Sequence, residues 1–351
     1  MQIQNYDYFL ENKPSKIGLK ARKIDTLPNF CVIKGAFSCG KKSLCLNLVK
    51  DDFVFLDLSD IRLSNLNIYE FVEKNNIYNL VCFNANKNFS LPTNIKKCFI
   101  TTNNNDFSQD NFISTKLNYL DYEEFISFSK QNQNNHISEY LLLGQNPVNI
   151  GKTPYEAHKN IQNILRQHYS LSKMQILCKI ADYIGYQCSI LKIFNDYQIK
   201  IGKNDFFACL KEFENNFILY WIKHINKNVK KPYFTDFAIK NAISIKKEFK
   251  KIYENLIANE LIMSYDEIFF SDDFDFIIPN ANIAIIADAF IYKDLISVKQ
   301  KKLSFLAKKN NISNILLLSL NENFTFKYDN VNIICLKLDE WLLTKDNNDW
   351  N

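Results

Sequence analysis

The stretch Gly35-Ala-Phe-Ser-Cys-Gly-Lys-Lys-Ser43 constrains this chain more than any other. Its Gly35, Gly40 and Lys41 fit the spacing G-x-x-x-x-G-K of a loop that cradles phosphates. The apolar run Phe30–Ile33 before it reads as a short buried strand, and Leu44–Val49 after it reads as the opening of a helix. Strand, glycine loop and helix start are the context such a loop requires. Loop amides and the helix N-terminus bind the phosphates, the lysine neutralises them, and a hydroxyl on the next residue holds magnesium. Here that next residue is Lys42, and the hydroxyl arrives one place late, on Ser43. The expected nucleotide contacts are therefore Gly35, Ser38, Cys39, Gly40, Lys41, Lys42 and Ser43, with Ser43 as a replacement magnesium contact.

Further apolar runs follow at regular spacing. Phe53–Leu58, Asn79–Phe83 and Lys97–Thr102 read as strands, with Ile68–Glu73 as a helix between the first two. Short strands alternating with helices predict a parallel sheet with right-handed crossovers. Each strand closes on polar residues at its carboxyl end, where open α/β sheets bind ligands. These are Asp57, Asp60 and Arg62 after the second strand, Asn84 after the third, and Asn103 after the fourth. Before the first strand, Lys16–Lys23 is basic and reads as a solvated lead-in helix, with an adenine-side contact as the other reading.

Beyond residue 120 the pattern changes. Asp121 with Glu124 marks a helix start, the Asn-rich residues 131–135 read as a loop, and Gly144 and Pro147 mark a helix end. The pattern is helical from 157 to about 200, and apolar spacings of three and four mark 173–185 and 204–222 as in a small helical or winged-helix unit, so Phe206–Trp221 reads as a packed helix or as a recognition helix with its wing. Lys230–Asp236 leads into a helix, and Phe249–Leu261 forms an amphipathic one. Strands over 267–270, 274–278 and 283–286, a helix over 299–310, and strands over 315–319 and 331–338 make a second α/β unit.

At 351 residues the chain is too long for one ordinary core. No apolar run approaches the length of a membrane span and the N-terminus has no signal-peptide pattern, which points to the cytoplasm and to no membrane partner. The 9 Cys sit mostly in apolar segments without ligand spacing and read as buried thiols. A net charge of +5 carried almost wholly by Lys, with Arg only at 22, 62 and 166, is weak support for nucleic-acid binding.

Four motifs in order resemble a bacterial and archaeal family of AAA+-type ATPases. They are the loop Gly35–Ser43; the acidic turn Asp57–Arg62; Leu120–Phe125 with Gly144–Pro147; and Lys231–Asp236 with Tyr253–Leu261. The resemblance implies an α/β chain in three parts: a P-loop NTPase domain over 1–130, a helical lid and winged-helix-like region over 131–235, and a small endonuclease-like α/β domain over 236–345, with a tail over 346–351. It implies that Asn84 stands where the family has an acid, and that Asn103 senses the terminal phosphate. Asp57, Asp60 and Asn84 would surround the metal and the attacking water, and Arg62 would lie beside the nucleotide. In the last part, Asp275 with Glu254 or Glu260 would be the acids of a nuclease. The next strand offers only Asp288 and no lysine, so nuclease activity is not expected.

These readings predict an ATP-binding switch or weak ATPase, with ATP and Mg²⁺ as cofactors and metal-binding motifs that have degenerated. The other readings are a scaffold that keeps an ancestral fold and works through a protein partner, and a DNA-binding protein.

Overall fold

The computed structural model describes residues 7–49, 52–129, 136–196 and 201–344. The loop expected over 131–135 and the tail over 346–351 lie outside them. The chain divides into two compact units: residues 1–119 with 212–217, and residues 120–211 with 218–351. Both are α/β.

The first unit runs α1 (Asp7–Glu11), β1 (Phe30–Lys34), α2 (Lys41–Leu48), β2 (Val54–Asp57), α3 (Ile68–Lys74), β3 (Asn79–Phe83), β4 (Lys97–Thr102) and β5 (Ile113–Lys116). The strands form a five-stranded sheet in the order β2-β3-β4-β1-β5, parallel throughout. Successive side chains feed opposite faces. Cys31, Ile33, Phe55, Val81, Phe83 and Phe99 join Leu44 and Cys45 of α2 in one core. Val32, Leu56, Leu80, Cys82, Cys98 and Ile100 join Val72 of α3 in the other. Burial on both faces explains why these strands read as continuous apolar runs. The adjacent strands β4 and β1 send their following connections in opposite directions along the sheet, β1 toward β2 and β4 toward β5. A crevice at the carboxyl ends of two such strands is where open α/β sheets place ligands, and the Gly35–Ser43 loop lies there.

The lead-in over 16–23 is not helical. Gly18 turns it with φ 75°, and the Lys16 ammonium instead hydrogen-bonds the Val49 carbonyl at the C-terminus of α2, 2.9 Å away.

The second unit holds helices α4 (Tyr122–Phe128), α5 (His136–Leu143), α6 (Pro154–His168), α7 (Leu171–Ala181), α8 (Ile190–Asn195) and α9 (Lys203–Asn215), whose last residues group with the first unit. Then come β6 (Leu219–His224), β7 (Lys230–Phe234), α10 (Ala238–Ile243), α11 (Phe249–Ser264), β8 (Phe269–Phe270), β9 (Phe276–Ile278), β10 (Ile283–Ala287), α12 (Lys293–Lys309), β11 (Asn314–Ser319), β12 (Phe324–Tyr328), β13 (Val331–Lys337) and α13 (Leu338–Thr344). The sheet is mixed and eight-stranded, ordered β12-β13-β11-β10-β9-β8-β6-β7. Phe206–Trp221 is not one helix. It breaks at Phe217, whose φ is 55°, and Leu219 then enters β6. Lys230–Phe234 is likewise a strand, antiparallel to β6, so this hairpin belongs to the same sheet as residues 269–337. Asp121 does cap α4, accepting the Glu124 N–H at 2.8 Å.

Candidate functional site

The loop between β1 and α2 needs its glycines for geometric reasons. A Cβ on Gly35 would lie 2.3 Å from the Leu117 carbonyl oxygen, because β5 leaves the sheet across this point. Gly40 has φ 101°, a left-handed conformation that glycine adopts without strain, and Ser38 has φ 58°. Alternating handedness of this kind gathers backbone N–H groups into an anion-binding concavity. The first N–H groups of α2, from Lys41 on, have no intrahelical acceptor.

The outside of the loop is tied down. Arg22 donates to the Cys39 carbonyl at 2.8 Å and to the Asn118 and Tyr119 carbonyls at 3.1 and 3.3 Å. The Tyr119 hydroxyl donates to the Phe37 carbonyl at 2.9 Å. Carbonyls on the outer side are thus engaged by donors from β5's exit and the lead-in segment. Sequence reasoning placed Arg22 only in a basic patch. Its rarity among so many lysines was the available signal, since a fixed fork of donors suits several carbonyls at once.

Inside the loop is Lys41, nearly fully buried. Its ammonium donates to the Gly35 and Ala36 carbonyls at 2.8 and 2.5 Å and to Asn103 Oδ1 at 2.6 Å. Burial lowers its pKa, with the neighbouring Cys39 thiol acting the other way. The structure therefore brings together Gly35, Cys39, Gly40, Lys41 and Asn103.

Asp57, Ser59 and Asn84 form a second group at the ends of β2 and β3. Asp57 Oδ1 accepts from Ser59 Oγ at 2.6 Å, from the Ser59 N–H at 3.2 Å and from Asn84 Nδ2 at 2.9 Å. Burial works to raise the Asp57 carboxyl, but these donors and the charge of Lys42 outweigh it and hold it below its ordinary value. Lys42 is exposed, with its ammonium 5.1 Å from the centre of the Phe83 ring at the end of β3. Ser43 is half-buried, and its hydroxyl has no hydrogen-bond partner among the described residues.

Asp60 and Arg62 are engaged with each other. Asp60 caps a short turn by accepting the Arg62 N–H, and its carboxylate takes the Arg62 guanidinium at 2.6 Å. These bonds pull the Asp60 pKa down to about 2 and raise that of Arg62. The guanidinium also stacks 4.5 Å from the Tyr8 ring centre. Arg166, in the other unit, lines a cleft of about 280 Å³ with Gln162, Met174 and Cys178.

The acids considered for a nuclease lie in a buried ionic cluster. Glu254 Oε1 accepts from Lys231 at 2.8 Å and from the Tyr233 hydroxyl at 2.7 Å, while Oε2 accepts from Lys251 at 2.8 Å. Burial would raise the Glu254 carboxyl, and the two lysines outweigh it. Asp275 lies 3.6 Å from the Lys231 ammonium and accepts the Ala287 N–H at 3.0 Å. Its carboxyl is raised, by burial first and then by the Glu254 charge. Lysine is present here, but it comes from β7 and α11 and neutralises the acids. Glu260 instead accepts from the Tyr140 hydroxyl at 2.8 Å, and Asp288 accepts the Phe290 N–H at 3.4 Å. No group of three side chains suited to a metal occurs among the described residues.

The motifs beyond residue 120 interlock. Asn255 receives the Phe234 N–H and donates to the Phe234 carbonyl, at 3.1 and 2.8 Å. Asn259 donates to Gln145 Oε1 at 2.6 Å, and Asp236 Oδ1 accepts the Gln145 N–H at 3.1 Å. Gly144 has φ 79°, and a Cβ there would lie 2.3 Å from that same Asp236 oxygen. Tyr233, Phe234, Asp236, Asn255 and Asn259 are therefore framework residues. No protein family matches the chain by sequence, and no curated protein matches it either.

Proposed function

We propose that the first unit binds ATP at Gly35–Ser43 as a nucleotide-dependent switch or weak ATPase, a divergent relative of the AAA+-type ATPases with an endonuclease-like C-terminal domain. One observation carries the reading. The helix α2 opens on Lys41 and Lys42, with no acidic residue in its first turn. Two positive charges at the positive end of a helix dipole oppose it by about 0.3–1 kcal/mol each. A sequence keeps such a local conflict where something else offsets it. A polyphosphate against these lysines and the loop amides is that compensation.

Turnover calls for a carboxylate free to act near the attacking water; Asn84 is neutral, Asp57 is held by Ser59 and Asn84, and Asp60 is paired with Arg62. Binding should therefore outlast hydrolysis. The test is an ATP titration of wild type and Lys41→Ala. We expect at least a tenfold loss in the variant, about 1.4 kcal/mol; equal affinities would remove the reading. Hydrolysis should appear or rise in the double variant Lys42→Thr with Asn84→Asp.

A scaffold without nucleotide is the second reading. It is favoured by the Lys41 ammonium, which already has three oxygen acceptors within the loop and at Asn103. Absence of any thermal shift with ATP, ADP or GTP would select it.

A further inference from the structure

A nucleoside triphosphate brings about four negative charges to its site, and phosphate-binding loops ordinarily meet them with one lysine and a magnesium ion. Magnesium demands hard oxygen ligands in near-octahedral geometry. The side chains around this loop do not fit that demand. The residue after Lys41 is a lysine, and the Ser43 hydroxyl lies about 100° further round the helix. At the end of β3, Asn84 is neutral where a carboxylate would be charged, and its amide N–H is spent on Asp57. Oδ1 of Asp57 is already engaged by Ser59 and Asn84, and the carboxylate, whose Oδ2 is left over, already has the Lys42 charge beside it.

What stands in this place is a positive charge on a tether. The Lys42 ammonium rests against the Phe83 ring, one residue before Asn84, and its field reaches Asp57. It extends from the same helix turn as Lys41. Being exposed and free of any ion pair among the described residues, it can turn to an incoming phosphate by giving up only its contact with the Phe83 ring. An ammonium on a flexible stem is a compact point charge with rotatable donors.

We propose that Lys42 is the built-in counter-cation of this site, so that the loop takes a nucleoside di- or triphosphate as the metal-free anion. The inference rests on the nucleotide-binding reading above and names the form of ligand that the loop accepts.

The experiment is an ATP titration by calorimetry, in excess EDTA and again in excess Mg²⁺, on wild type, Lys41→Met and Lys42→Met. Lys42 is exposed, so Lys42→Met should melt as wild type does, which separates binding from folding. Wild type should bind equally well in EDTA and in Mg²⁺, within about twofold, or better in EDTA. Lys42→Met should lose at least fivefold in EDTA. Wild-type affinity that rises tenfold or more with Mg²⁺ would overturn the proposal and leave nucleotide binding standing. So would Lys42→Met matching wild type in EDTA while Lys41→Met is weakened. Loss of ATP binding in both media, or full binding by Lys41→Met, would remove the nucleotide reading together with this one.

Discussion

Asp236 is the residue whose ionisation should be most visible in the stability of the protein. It is fully buried, and Oδ2 has no hydrogen-bond partner among the described residues. Burial raises its pKa to about 6, against the N–H groups of Gln145, Ala238 and Asn146, which pull it down. An unfolded aspartate titrates near 3.9, so between about 4 and 6 the folded state holds the extra proton. The stability this confers is complete below about pH 4 and is lost as pH rises through about 6. A shift of about two units corresponds to about 3 kcal/mol. Urea unfolding of wild type and Asp236→Asn at pH 5 and pH 7.5 isolates the group. The stability of wild type relative to the variant should fall by about 1.4 kcal/mol between the two; a constant difference would refute the assignment. This residue was legible in the sequence only as part of a motif. Its role comes from Gly144, Gln145 and α10 closing over it, which no local pattern announces. Lys41 was legible because its spacing to two glycines is local, whereas Arg22 acts on carbonyls as far along the chain as Tyr119.

Among the elements, β1, β3 and β4 were legible because each is buried on both faces and reads as an unbroken apolar run. The strand β5 was not, since Ile113-Ser-Thr-Lys116 sits at the sheet edge and is largely exposed. The start of β6, Leu219–Trp221, was read into a helix because a dense apolar stretch satisfies both periods at once, and β7 was read only as the lead-in to a helix. A usable signal did exist for β12: Phe324, Phe326 and Tyr328 alternate before Asp329 and Asn330, which both have positive φ and make the tight turn into β13. The long helix α11 was legible by its period, but its buried polar residues were not. Its Asn255 side chain acts toward β7 as a neighbouring strand would, receiving and donating at Phe234. Asn255→Ala leaves a buried N–H and a buried carbonyl unmade, and should cost about 2–4 kcal/mol. Urea unfolding followed by tryptophan fluorescence measures it. A loss below about 1 kcal/mol would mean that β7 does not depend on this clamp.

On the scale of the molecule, the division into two units puts Gly35–Ser43 in the first and the interlocked motifs of Gly144, Asp236 and Asn255 in the second. Binding and switching are then separate claims. Binding requires only that ATP stabilise the first unit by mass action, about 2.7 kcal/mol at a hundredfold excess over Kd. Switching requires that ATP interact differently with two states of the whole chain, so that residues far from the loop feel it. Amide hydrogen exchange with and without ATP separates the two. Exchange should slow over Gly35–Leu48 and at the ends of β2, β3 and β4, around Asp57, Asn84 and Asn103. If the protein is a switch, amides beyond Leu120 should also change, in α5, β7 or α11, where the shared polar framework would shift as a body. Protection confined to the first unit would leave a nucleotide-binding protein whose second unit does not respond. Lys41→Ala should abolish both sets of changes, because each depends on the same lysine holding the phosphates.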